Sequence, residues 1–403
     1  MNVTGIIAEY NPFHKGHHYH INESRSKYGE KSSIICIMSG NFVQRGQAAL
    51  FNKYARAKAA VLCGADLVLE LPLPWSLSSA EGFARGAVSI LGKLGAVSSI
   101  SFGSECGDVS SLEILAAALL SPEIDSEIKT ELKSHVSYAR ARQNVIARKS
   151  GSAGELSGLL ETPNNILAVE YLKAISSLDL NISPMTMKRR GAAHDGEGHG
   201  EFRSASALRS MISSGEDFRE FVPAQALQVF QEETDKGRGP VDMRCLETAM
   251  LSRLRMLKLS DFHSLPDNSE GLSDRIYKAV KTEASVSKIL ESAKTKRYAM
   301  SRLRRMLMCA ALGLTADKAR GLPPYTRLLG ANKQGCRILK SVKKSSGIPI
   351  ITKPASAEKL DDKSRHLFEL ECSAADFYTL AYENTEERKA GSDWRQSPFI
   401  AEF

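Results

Sequence analysis

The first two apolar runs, Val3–Ala8 (VTGIIA) and Ser33–Met38 (SIICIM), are joined by a segment patterned as a helix over His17–Tyr28. A connection of that length and pattern is a crossover, so the two runs read as parallel strands of one sheet. The alternation continues. Tyr54–Cys63 is Ala-rich and helical, with Gly64 placed to stop it. Leu67–Leu71 (LVLEL), closed by Pro72 and Pro74, reads as a third strand, Glu81–Leu94 as a helix and Ser98–Phe102 as a fourth strand. Leu112–Lys149 is helical and charged, and Ser150–Ser157 is a loop of small residues. Thr162–Pro163 is a cap with proline at the first helical position, opening a helix to about Ser176. Met185–Arg189 reads as a last strand, Gly191–Gly200 (GAAHDGEGHG) as a Gly-rich loop, and Ser204–Ser213 as a helix. The alternation stops near residue 215; Glu216–Phe403 is mostly helical in pattern, apart from a strand-like GIPIIT at Gly347–Thr352. A chain of 403 residues exceeds one ordinary core. The expectation is an α/β protein: a Rossmann-like parallel-sheet domain over 1–215, then a mostly helical, basic domain over 216–403.

In such sheets ligands bind beyond the carboxyl ends of the strands. There the chain reads EYNPFHKGH, with His14 and His17 three apart at a helix start. Free N–H groups and the positive end of the helix dipole suit phosphate, imidazole N–H groups donate to phosphate oxygens, and Gly16 admits a ligand close to the backbone. No Walker glycine-lysine pattern is present. A histidine pair at a helix start also serves as a surface cap, and a zinc site would need a third ligand that is not nearby. A second feature favours phosphate. Ser204-Ala205-Ser206-Ala207-Leu208-Arg209 puts hydroxyls and an arginine at another helix start. Gly40–Gly46, after the second strand, reads either as a pocket-lining loop or as packing on the first helix. Asp66 and Glu70 read as buried pairing or capping groups, and His194, Asp195 and His199 as part of a solvated loop rather than a metal site.

A formal charge of +8 and a pI near 9.0 favour a polyanionic partner. Ser292–Ala316 contains no acidic residue, and as one helix it would place Lys294, Arg297, Arg304 and Arg305 opposite Leu303, Met306, Leu307 and Ala310. Tyr325, Arg327, Lys333, Arg337, Lys340, Lys343 and Lys344 continue the basic trend, with Tyr325 a candidate for stacking on a base. The seven scattered cysteines fit a reducing compartment and form no zinc ribbon. The N-terminus shows no signal-peptide pattern and no apolar window spans a membrane, so the expected location is cytoplasmic, with no membrane or protein partner implied.

The pair H-x-G-H and S-x-[ST]-x-x-R resembles the HIGH nucleotidyltransferase signature. EYNPFHKGH, MSGNFVQRG (Met38–Gly46), DLVLELP (Asp66–Pro72), FGSE (Phe102–Glu105) and PNNILAVEYL (Pro163–Leu172) together are similar to the tRNA(Met) cytidine acetate ligase family, closely over 1–215 and more loosely beyond, as in RLLG (Arg327–Gly330) and GIPIITKPA from Gly347. The resemblance implies adenylation of acetate by ATP, then acetyl transfer to N4 of the wobble cytidine of elongator tRNA(Met). It implies nucleotide binding by the segment comprising Ile7, Ala8, Glu9, Tyr10, Asn11, Pro12, Phe13, His14, Lys15, Gly16, His17 and His20, by Gly103, by Asn165 or Asn164, and by Arg189 or its neighbour Arg190. His14 and His17 are the expected catalytic donors, with Ser204, Ser206 and Arg209 on the β- and γ-phosphates; Lys15 faces away from the shared histidine face. Mg²⁺ is expected to accompany ATP, with no protein-bound metal site. Acetyl-AMP needs no protein nucleophile, so no cysteine is given a catalytic role. Two other readings stand beside this one: an adenylyltransferase for a phosphorylated metabolite, and a non-catalytic, nucleotide-dependent RNA-binding protein.

Overall fold

The computed structural model describes residues 2–29, 32–149, 154–189, 202–269 and 271–402. Its strands are β1 (Val3–Ala8), β2 (Ser33–Ser39), β3 (Phe42–Val43), β4 (Gln47–Ala48), β5 (Leu67–Leu71), β6 (Ser99–Ser104), β7 (Ser183–Lys188), β8 (Thr326–Ala331), β9 (Ile350–Ile351) and β10 (Phe399–Ile400). Among the described residues eight of them form one sheet in the order β10-β8-β5-β2-β1-β6-β7, with β9 on the other part of β8, while β3 and β4 form a separate hairpin. All pairings in the sheet are parallel except β5 with β8. The five strands foreseen in the N-terminal half are present, and their order reverses between β1 and β6. That reversal opens a crevice at the carboxyl edge.

The sheet is buried on both faces, which is why β2 reads as an unbroken apolar run. Ile35 and Ile37 face one core with the helices Ala80–Lys93 and Pro163–Ser177. Ile34, Cys36 and Met38 face another, formed with Lys53–Leu62 and Ala224–Asp235. A third core, from Val241 to Leu314, is helical and takes in Phe42 and Ala48 of the β3–β4 hairpin and Tyr378 and Tyr382 near the chain's end. No helix among the described residues is long and apolar enough to cross a membrane.

The C-terminal half is mostly helical, as foreseen, but a division at 215/216 cuts through the sheet. β8, β9 and β10 all come from the second half, and β8 covers the edge of β5. Beneath that junction lies a charged cluster. Lys53 Nζ donates to both oxygens of Glu70 (2.9 Å each) and to Asp393 Oδ2 (2.8 Å), and Arg327 Nη1 donates to the same Asp393 oxygen (2.7 Å). Each of these four residues is at most 4% exposed. Asp66 is likewise structural: its carboxylate receives Arg25 Nη2 and Ile34 N–H at 2.8 Å each.

The basic stretch differs most from its expected form. Ser292–Ala316 is not one helix but the end of Val286–Ala293, a turn, and Met300–Leu312. Tyr298 buries its ring in the helical core, and Lys294 Nζ donates to the carbonyls of Thr295 and Tyr298, which closes the turn. Lys294 and Arg297 are exposed but lie off the Arg304 helix. Arg305 is 6% exposed and bound to Asp267, so it does not belong to an outward basic face. Tyr325 and Arg327 are buried too; the Tyr325 hydroxyl donates to Glu371 Oε2 (2.7 Å) and is closed to a base.

Candidate active site

At the β1–β6 crevice the chain leaves β1 through Glu9 and Tyr10. Tyr10 adopts φ +48°, a left-handed conformation that costs a bulky residue about 1–2 kcal/mol. Burial of its ring against Phe13 and His17, with centroids 4.9 Å away in each case, offsets that cost. Arg56, fully buried, fixes the surrounding loops without a carboxylate partner: its guanidinium donates to the carbonyls of Glu9, Ser39, Gly40 and Phe51.

The two histidines cap the helix Lys15–Ser26 reciprocally. Gly16 N–H donates to His14 Nδ1 (3.0 Å), and His14 N–H donates to His17 Nδ1 (3.3 Å). Their rings stack with centroids 3.7 Å apart. The stack explains Gly16, since a Cβ there would stand 2.9 Å from His14 Cε1; the glycine admits the imidazole rather than only a ligand. Burial, then the charges of Arg189 and Arg209, pushes His14 down to about 3. Burial and the neighbouring His14 hold His17 well below the usual histidine range. His20, whose Nε2 bonds Ser101 Oγ (2.8 Å) across the crevice on β6, is pushed down to about 4 by burial and Arg189. All three are neutral at pH 7. With Nδ1 accepting from the backbone, the proton of His14 and of His17 sits on Nε2, so each ring is a neutral donor.

A cleft opens at this point. It brings together His14, Gly16, His17, His20, Gly103, Arg189 and Ser204 from the sequence-based set. Gly103 lets the Arg189 side chain lie across β6, with Arg189 Cγ 3.3 Å from where a Cβ would be. Ser204 caps the helix Ala205–Ser214 through Ala207 N–H (3.1 Å), leaving its own hydroxyl proton to donate. Arg190 and the His194–His199 loop lie outside the described residues.

The other expected residues stand behind or beside the lining. Ile7, Ala8, Tyr10, Asn11, Pro12 and Phe13 shape the turn, and Lys15 is half-buried away from the histidine face. The Glu9 carboxylate receives Gln44 N–H (2.8 Å). Arg209 donates to the Asn11 carbonyl (2.9 Å) and to Ser206 Oγ (3.3 Å), so it braces the turn next to the cleft. Asn164 and Asn165 hold the loop after Gly103: Asn164 Nδ2 donates to Glu105 Oε1 (2.6 Å), and Asn165 Oδ1 accepts from Glu105 N–H (2.9 Å). The Glu105 carboxylate already serves the helix start at Asn164 and Asn165.

The lining also holds residues the sequence reading passed over: Tyr19, Met187, Lys188, Phe202 and Arg203. Arg203 matters most. Its guanidinium lies over the Phe221 ring (5.3 Å), and its buried Nε has no hydrogen-bond partner among the described residues. Its place directly before Ser204 was the available signal. Arg189, Arg203 and the neutral histidine donors converge on a cleft with no carboxylate in its lining among the described residues, an electrostatic complement of a polyphosphate.

Comparison with known proteins agrees with this geometry. Residues 1–393 match the HIGH Nucleotidyl Transferase family model. The tRNA(Met) cytidine acetate ligase of Acetivibrio thermocellus is 38% identical over 415 residues, spanning 99% of this chain and 100% of the relative. That of Thermosipho africanus is 38% identical and spans 100% of both. The crystal structure of Thermotoga maritima TmcAL bound with alpha-thio ATP superposes with a TM-score of 0.92 at 32% identity over the whole of both chains, and the apo form with 0.94.

Proposed function

Because this chain belongs to the HIGH nucleotidyl transferases and, among them, to the tRNA(Met) cytidine acetate ligases, we propose that it uses ATP to join acetate to N4 of the wobble cytidine of elongator tRNA(Met). The reaction has two steps. An acetate oxygen attacks the α-phosphorus; the new P–O bond forms as the bond to the bridging oxygen breaks, and pyrophosphate leaves with the electron pair. The cytidine N4 then attacks the acetyl carbonyl of acetyl-AMP. The C–N bond forms, the C–O bond to AMP breaks, and one N4 proton is released.

The observation that carries this reading is the stacked His14–His17 pair, two neutral Nε2–H donors fixed at the β1–β6 reversal. Such donors stabilise charge developing on phosphoryl oxygens without reorganising or giving up a proton. Arg189, Arg203 and the Ser204 hydroxyl hold the polyphosphate, and Arg209 keeps the Asn11 turn in place. A lining without a carboxylate among the described residues fits a Mg²⁺ carried by the nucleotide's own phosphates, with Ser204 Oγ a side-chain oxygen at hand. When bound, that ion supplies charge neutralisation to the leaving pyrophosphate. Basic residues of the helical half, the exposed Lys294 and Arg297 and the half-buried Arg304 among them, hold tRNA phosphates, and the reaction belongs to the cytoplasm.

The test is acetate-dependent ATP–pyrophosphate exchange, together with transfer of labelled acetate to tRNA transcripts, for the wild type and His17→Ala. The expected result is exchange with acetate and ATP-dependent label in elongator tRNA(Met), both lost in the variant. Exchange that needs a phosphorylated metabolite in place of acetate, or no exchange at all, overturns the reading.

A further inference from the structure

The β3–β4 hairpin meets the helical half of the chain at Gly46. This residue has φ +75° and lies so close to the helix Met300–Leu312 that a Cβ would stand 2.5 Å from Arg305 N and 2.8 Å from Arg304 Cβ. The contact brings the Arg45–Gly46 backbone at the hairpin tip against the backbone that carries Arg304. Arg45 is exposed and Arg304 half-buried, and neither guanidinium has an ion pair or hydrogen bond among the described residues.

Their neighbours are treated differently. On the same helix, Arg305 is bound twice by Asp267 Oδ2 (2.9 and 2.7 Å), and Arg302 Nε donates to the Asp267 carbonyl (2.9 Å). Arg209, on the cleft side, is occupied by Asn11 and Ser206. The fold therefore satisfies Arg302, Arg305 and Arg209 and leaves Arg45 and Arg304, carried on backbones that meet at Gly46, without a counter-charge among the described residues. Two long guanidinium side chains rooted at one backbone contact have the reach to meet on a single anion, and the charge of Arg45, felt also at Arg209, favours an anion on this side of the cleft. The place is set by the catalytic edge: the hairpin begins directly after β2, and Gln44 N–H, one residue before Arg45, is anchored on the Glu9 carboxylate at the end of β1. An anion there lies beside the nucleotide cleft, outside its lining. A base that enters the cleft mouth brings its own backbone phosphate to that position.

We propose that Arg45 and Arg304 form one subsite for the RNA phosphate adjoining the nucleotide that receives the acetyl group, with Gly46 keeping the two arginines adjacent. This rests on the function proposed above. Planar guanidinium groups from two elements suit a phosphate better than a single ammonium does. The subsite also couples the helical half directly to the reacting edge.

The experiment compares wild type, Arg45→Ala, Arg304→Ala, the double variant, and Arg45→Lys with Arg304→Lys. Acetate-dependent pyrophosphate exchange measured without RNA reports on the cleft alone; acetyl transfer to tRNA and the salt dependence of tRNA binding report on the subsite. Each alanine variant is expected to lose about ten-fold in kcat/KM for tRNA, mostly through KM, while exchange persists. Because both arginines serve one phosphate, the double variant should lose far less than the product of the single losses. The slope of log K against log salt should fall by about 0.7, the value for one single-strand phosphate, and the lysine variants should restore it. Transfer and slope equal to wild type in the double variant would overturn the subsite. Exchange lost along with transfer would also overturn it, by assigning the arginines to the nucleotide site. A wild type that exchanges acetate but acetylates no RNA refutes the function instead, which keeps the two failures distinct.

Discussion

The histidine cradle after β1 and the charged cluster beneath β5 both take polar side chains out of water, by opposite means. In the cradle, His14, His17 and His20 are stripped of charge by burial and by nearby arginines, and His14 and His17 keep Nε2–H groups to face a ligand. In the cluster, Lys53, Glu70, Arg327 and Asp393 are matched as ion pairs, and Asp393 also accepts from the Tyr54 hydroxyl. Burial opposes ionisation of both Lys53 and Asp393, yet Asp393 and Glu70 raise Lys53 while Lys53 and Arg327 lower Asp393. The contrast separates two uses of buried polarity: neutral donors left over for chemistry, and matched ions that fix where chain segments meet.

Substitution should break the two regions differently. Lys53→Met leaves Glu70 and part of Asp393 unpaired in the interior and is expected to cost about 3–5 kcal/mol, read by chemical denaturation. His17→Ala should move activity instead: loss of a preorganised donor to the reacting phosphates is expected to cost about 10²–10³-fold in acetate-dependent exchange, and the lost cap only about 1 kcal/mol of stability. A stability loss from His17→Ala as large as that of Lys53→Met would erase the distinction.

Acid should sharpen it. Histidines whose folded pKa lies below about 6.5 are protonated first in the unfolded chain. Their contribution is complete above that pH and is lost as pH falls, by about 1.4 kcal/mol per histidine per unit, until about 4 for His20 and about 3 for His14. Glu371 works the other way between the ordinary glutamate value of 4.5 and about 7, because burial, and then Glu70, raises it. Asp393, lowered from 3.8, gives stability that is full above that value and is lost only at more acid pH. Denaturation curves from pH 7 to 5 should thus fall steeply for the wild type and less steeply for His20→Asn. A slope that His20→Asn leaves unaltered would remove His20 from this account. The smallest effect is expected from Asn164→Ala, which takes one hydrogen bond from Glu105: about 1 kcal/mol of stability, with ATP affinity changing less than in Arg189→Ala, measured by calorimetric titration.

The parallel core was legible because β1, β2 and β5 are continuous apolar runs separated by helix-length segments, so period and spacing agreed. His14, His17 and Ser204 were legible because a strand end followed by a helix start is a local pattern. What stayed hidden depends on partners distant in the chain. β8 is Thr-Arg-Leu-Leu-Gly-Ala, a run that says nothing of antiparallel pairing to Leu67–Glu70, more than two hundred residues earlier. Arg305 looked like its neighbour Arg304 because the 100° periodicity takes no account of Asp267. Arg327 and Tyr325 read as surface for the same reason: their partners Asp393 and Glu371 come later in the chain. Gly16 was assigned to the ligand because the sequence does not show that a side chain two residues earlier folds back over it.

The lateness of those partners has a consequence for synthesis. A ribosome releases Lys53 and Glu70 long before it makes Asp393, and β5 long before the β8 strand that covers its edge. Until then the nascent sheet carries an open edge and an incompletely neutralised interior, both favourable to wrong association. The nucleotide-binding half thus reaches its finished form only after Asp393 has been made. Messages cut short near residue 215, which leave β5 without β8, should yield insoluble product, while chains that extend past Asp393 fold.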